Sequence, residues 1–152
     1  MKTYFGFLLS LLTATATSAQ VQWRGGFPGR ETDWSCARNW NNNRVPDNLD
    51  QVVIPDCSTH GGFYPVVRQM AEVQSLEIHS NASLTIAPKA QLIVMGFGLP
   101  GGALFNQGLL QNEGTLQVIE PVMHALEVSG RGTIIHSRSE LVPDICEVEC
   151  DH

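Results

Sequence analysis

Residues 76–94 read LEIHSNASLTIAPKAQLIV, and three triplets stand out in them: Leu76-Glu77-Ile78, Leu84-Thr85-Ile86 and Leu92-Ile93-Val94. Each begins and ends on an apolar residue, and each starts eight residues after the one before. Strand side chains alternate between faces, so the two ends of a triplet share one face. Ser80-Asn81-Ala82 and Pro88-Lys89-Ala90 fill the gaps with turn-forming residues. Pro88, Asn81 and the β-branched content argue against one continuous helix. Eight residues are too few for a complete β-helical coil. Three such units make about 24, one strand on each side of a triangular coil. Leu116-Gln117-Val118 falls 24 residues after Leu92, on the same period.

Towards the C-terminus, residues 96–115 read GFGLPGGALFNQGLLQNEGT. Asn106-Gln107-Gly108 and Asn112-Glu113-Gly114 are expected to be paired turns, with Asn and Gly supplying left-handed backbone. Leu126-Glu127-Val128 and Thr133-Ile134-Ile135 follow as looser strands. A second period competes: Leu104, Leu110, Leu116, Val122, Val128 and Ile134 recur every six residues. Six-residue repeats mark a left-handed β-helix of about 18 residues per coil. That period breaks upstream, at Gly98 and Ser80. The longer coil is preferred, and the expected fold is all-β, a short right-handed parallel β-helix.

Towards the N-terminus, residues 23–65 read WRGGFPGRETDWSCARNWNNNRVPDNLDQVVIPDCSTHGGFYP and hold all three tryptophans. Turn-formers dominate at Gly25-Gly26, Pro28-Gly29, Asn41-Asn42-Asn43 and Pro46-Asp47. Gln51 to Pro55 is the first convincing strand, stopped by proline. Before it, Lys2, an apolar run from Tyr4 to Leu12 and small residues ending Thr17-Ser18-Ala19 form a signal peptide. The organisation expected is a signal peptide over 1–19, an irregular Trp-rich cap with the first strand over 20–65, and β-helical coils over 66–152 with a stapled C-terminal end. The apolar run is too short to span a membrane, and no other candidate span occurs. The chain is expected to be secreted or at the cell surface, with the periplasm as the alternative.

Fifteen acidic residues against nine basic ones give a formal charge of −6, which argues against nucleic-acid binding. In an oxidising compartment the four cysteines are expected as two local disulfides, Cys36–Cys57 and Cys146–Cys150. A zinc site is the rival, without the CxxC spacing such sites use.

The N-terminal residues resemble a module of secreted, surface-associated proteins in bacteria that use type IX secretion. Its motif, W-x-G, D-W, N-W, V-P, V-x-I-P and Y-P, is met by Trp23, Gly25, Asp33, Trp34, Asn39, Trp40, Val45, Pro46, Val52, Ile54, Pro55, Tyr64 and Pro65. Leu84-x-Ile86, Leu92-x-Val94 and Asn112-x-Gly114-Thr115-Leu116 continue the likeness. The resemblance implies a pectin-lyase-like or adhesin-like parallel β-helix. Arg44 stands where such modules usually carry glycine, and no β-sandwich sorting domain follows. A free secreted module, a truncated product and a periplasmic protein are therefore all open.

Chemistry-bearing residues are sparse. Trp23, Trp34 and Trp40 are expected to cover the open end of the solenoid, with a sugar-stacking platform as the alternative. Asp33, Asp47, Asn48, Asp50 and Asp56 could offer oxygens to calcium, but no Asp-x-Asp-x-Asp-Gly loop occurs and turn formation is their expected role. His60, His79, His124, His136 and His152 form no close-spaced pair. Glu77 and Glu127 are the carboxylates that coils could bring together. The functional expectation is a non-catalytic structural or adhesion module without a cofactor, meeting extracellular glycans or surface proteins. A carbohydrate-binding or polysaccharide-processing fragment is the alternative.

Overall fold

The computed structural model describes residues 20–96, 103–119 and 128–137. Eleven strands lie in these segments, with two short 3-10 turns and no α-helix among the described residues. The three triplets form successive strands on different sheets. β5 (Ser75–Ile78) joins β1 (Val21–Gln22), β2 (Gln51–Ile54) and β8 (Leu104–Asn106). β6 (Ser83–Ile86) lies between β3 (Val66–Val67) and β9 (Leu109–Asn112). β7 (Gln91–Val94) lies between β4 (Met70–Val73) and β10 (Thr115–Ile119), and β11 (Thr133–Ser137) ends that third sheet. Every pair of adjacent strands is parallel, so the chain winds as a three-sided β-helix-like coil.

Parallel stacking in register puts like residues on like. Val21, Val52, Leu76 and Leu104 form one inward row, and Ala71, Leu92, Leu116 and Ile134 another. Leu76, Ile78, Leu84, Ile86, Leu92, Val94 and Leu116 are all fully buried. Each contributes about 1.5–3 kcal/mol by burial, so the coils are held by many similar small terms.

The two sequence periods describe one object. Leu92 pairs with Leu116 after 24 residues, as expected. Leu116 pairs with Ile134 after 18, the six-residue period taken three times. Leu104, Leu110 and Leu116 fall on the three different sheets. The six-residue spacing thus appears where the corners are shortest. Val122, Leu126 and Glu127 lie outside the described residues.

The corners correct one expectation. Gly108 and Gly114 do not adopt left-handed backbone; Asn81 (φ 65°) and Lys89 (φ 68°), one coil below, do. Glycine is required at Gly108 because a Cβ would lie 2.4 Å from the Ala82 carbonyl oxygen. At Gly114 the same distance separates it from that of Ala90. Asn106 and Asn112 each accept a bond from the glycine N–H two residues on, closing the corner.

The N-terminal stretch is also more than a lid. β1 pairs with β2, and Asp33 forms a parallel bridge with Val66. Residues 21–34 therefore add a partial coil beneath two of the three sides. The third sheet receives no such addition and ends at β4.

A candidate binding site at the first coil

The site grows out of the tryptophan motif. Trp23, Trp34 and Trp40 are 1%, 3% and 0% exposed, so none offers a face to a sugar ring. Trp40 meets the other two edge to face, at centroid distances of 4.9 and 4.8 Å, a geometry favoured by the ring quadrupoles. Trp23 donates its indole N–H to the Phe63 carbonyl at 2.8 Å, and Trp40 donates to that of Trp34 at 2.9 Å. Gly25 follows Trp23 because a Cβ there would lie 2.7 Å from the Phe63 oxygen and 2.8 Å from the Trp23 indole nitrogen. That is the physical content of W-x-G.

The residues before the other tryptophans tie the loops down. Asn39 is fully buried; it accepts from Phe27 N at 3.0 Å and donates to the Arg30 and Asp33 carbonyls. The Asp33 carboxylate accepts from Ser35 N and Oγ and from Arg30 Nε. Burial pushes that carboxyl up, but the bonds from Ser35 and Arg30 outweigh it and hold it below the usual carboxylate range. Arg44, in place of glycine, bridges Asp47 at 2.7 Å and the nearly buried Asp50 at 2.6 Å.

The candidate calcium ligands are thereby divided. Asp33 belongs to Arg30, Asp47 and Asp50 to Arg44, and Asp56 to Ser58, Tyr64 and Asn81. No three His, Cys, Asp or Glu side chains gather as a metal site among the described residues. The cysteines depart from the expected pairing. Cys36 and Cys57 are both buried free thiols, and the Cys36–Cys57 disulfide is not formed. Cys57 packs within the hydrophobic core, whereas Cys36 lies outside that cluster, near Arg30. Burial pushes the Cys57 thiol up, away from the thiolate that disulfide exchange and zinc binding need. Cys146 and Cys150, like Glu127, lie outside the described residues. Glu77 pairs with His79 at 3.1 Å.

A site the sequence did not announce lies where the third sheet ends. A cleft of about 480 Å³ runs along β4. Its floor is Val67 to Glu72, and Trp34, Val45 and Pro46 supply an apolar wall. Arg30 and Asp33 mark one end, since Thr32 pairs with Val66 N at the start of this segment. Asp47 and Asn48 mark the other, since Asp50 accepts from Gln74 N just past it. A second hollow of about 350 Å³ extends the first, sharing Arg30, Asp33 and Arg68. Trp34 Nε1, on a residue of the wall, is the one buried side-chain donor without an acceptor among the described residues. Such an orphan costs about 1–3 kcal/mol. Among sequence signals, Met70 is the nearest clue: an apolar residue 67% exposed on a strand, outside every motif.

A family model described as a domain of unknown function (DUF8693) matches residues 22–138. No curated protein and no solved structure matches the chain.

Proposed function

The chain belongs to the DUF8693 family of unknown function, and from that footing we propose that it is a structural or adhesion module working outside the cytoplasm without catalysis. The observation that carries this reading is the burial of Trp23, Trp34 and Trp40. With those rings committed to the interior, the motif serves the solenoid, and binding falls to its surface. The resemblance to secreted modules of type IX secretion bacteria supports the same reading, as do the signal-like residues 1–19.

The test pairs two measurements on the purified protein. Beads coated with it are expected to adhere to cells or to extracellular polymers of the producing organism. A panel of acidic and neutral polysaccharides incubated with it is expected to release no reducing ends. Release of sugar at a rate proportional to protein would overturn the reading in favour of a polysaccharide-processing enzyme.

A further inference from the structure

We propose that the open edge of β4 accepts an extended peptide segment of a partner protein as an added strand, seated in the cleft between Arg68 and Asp47. The inference deepens the adhesive reading and rests on it, naming the surface and the class of partner.

The argument starts from the backbone. In a parallel ladder successive residues point their N–H and C=O groups to opposite sides. Gln91 N donates to Gln69 O and Met95 N to Val73 O. The odd-numbered carbonyls of this segment therefore face β7, and the alternation turns the N–H and C=O groups of Met70 and Glu72 to the open side. Four residues at about 3.3 Å each give an edge of about 13 Å, lying along the cleft floor. An unpaired edge of this kind is a template for another strand.

Neighbouring edges at the same end are closed. Asn41 N donates to Gln22 O, and Asn41 Oδ1 accepts from Gln22 N, covering β1. Asn39 Nδ2 donates to Asp33 O, covering the bridge beside β3. A second copy stacked end to end would need three open edges and meets two sealed ones. A single extended segment needs only β4.

The lining states the chemistry of that segment. Arg68 has no ion pair among the described residues and one long bond, 3.5 Å, to Thr32 Oγ1. Glu72 likewise has no cationic partner among them. The floor between them includes Ala71, whose inward row continues through Leu92 and Leu116. The matching peptide carries an acidic residue towards Arg68, a small apolar residue above Ala71 and a basic residue towards Glu72.

The test uses a positional library of fluorescein-labelled, end-blocked hexapeptides against the full chain. Binders are expected to show that charge order, and Glu72→Gln is expected to remove the preference for the basic residue. Glu72→Pro deletes the outward N–H while leaving the bonds to β7, and it is expected to weaken binding about tenfold or more. Should that variant unfold, the selected peptide methylated on alternate amide nitrogens replaces it. One register of methylation is expected to abolish binding and the other to spare it, as a ladder requires. Equal binding in both registers, or no binder that depends on Glu72, overturns the proposal. So does occupation of the cleft by oligosaccharides alone, or self-association that Glu72→Pro removes. Adhesion that persists in Glu72→Pro would refute this site while leaving the adhesive reading in place.

Discussion

The first coil and the coils from β5 onward solve the same problem by opposite means. Residues 75–94 repeat an apolar, middle, apolar triplet, and rows of aliphatic side chains stack without specific polar contacts. Residues 20–50 contain almost no repeat and rely on individual pairings: an indole on a carbonyl, Asn39 on three loop groups, Arg44 on two aspartates. A middle coil has neighbours above and below, so repetition suffices. A terminal coil has a neighbour on one side only, and here side chains close two of its three free edges. Side-chain specificity accumulates where repetition ends.

The contrast breaks first at Trp40. Trp40→Ala should cost about 3–5 kcal/mol, read as a lowered urea midpoint. Hydrogen exchange should rise more at β1 to β3 than at β10. Equal loss of protection along the whole chain would mean that cap and coils unfold as one unit. Leu92→Ala should cost about 2–5 kcal/mol, with lost protection centred on β4, β7 and β10. Gly114→Ala drives a Cβ against the Ala90 and Ala87 carbonyls, 2.4 and 2.5 Å away. It should cost about 1–3 kcal/mol, as overpacking does.

Acid should weaken the first coil before the aliphatic rows. The Asp33 carboxyl is held below its ordinary range in the fold. Its contribution is therefore complete above the unfolded-state value of about 3.9 and is lost as pH falls through the lower folded value. Glu31 and Asp56, held low mainly by bonds from Gly29 and Ser58, act in the same direction. The melting temperature should be flat above about pH 5 and fall below about pH 4, and Asp33→Asn should shallow that fall. The Arg30 side of the Arg30–Asp33 pair is half exposed, so the effect is modest. Smallest is Lys89→Gly. Relief of a left-handed non-glycine residue, about 1–2 kcal/mol, is offset by about 0.5–1 kcal/mol of chain entropy. A net gain of about 0.5 kcal/mol should appear in the same unfolding assay, and a loss would show that the Lys89 side chain holds its corner.

Most of the coil was legible because parallel stacking in register leaves a linear trace: apolar ends two apart, repeated at one coil length. The triplets at Leu76, Leu84 and Leu92 became one strand on each sheet. Gly108 and Gly114 were misread, since a glycine required by close approach looks in sequence like one required by a positive φ. Cys36 and Cys57 were paired by proximity in the chain and by compartment. Neither argument says which side of the first coil a thiol packs on. The cleft had no sequence signature, because an open edge is made by what fails to lie beside β4.

By itself the sequence determined the class of fold, the strands that carry the repeating triplets and the interior role open to the tryptophans, while β1, β3, β4, β8 and β9 left no comparable trace. Periodicity and residue type act locally, and local preference decides whether a segment alternates or turns. Only the tertiary structure decided that Asn39 and Asn41 seal two edges of the first coil while β4 stays open. Which backbone groups remain unpaired depends on how residues distant in sequence come to lie side by side, as Asp33 does with Val66 and as nothing described does on the outer side of β4.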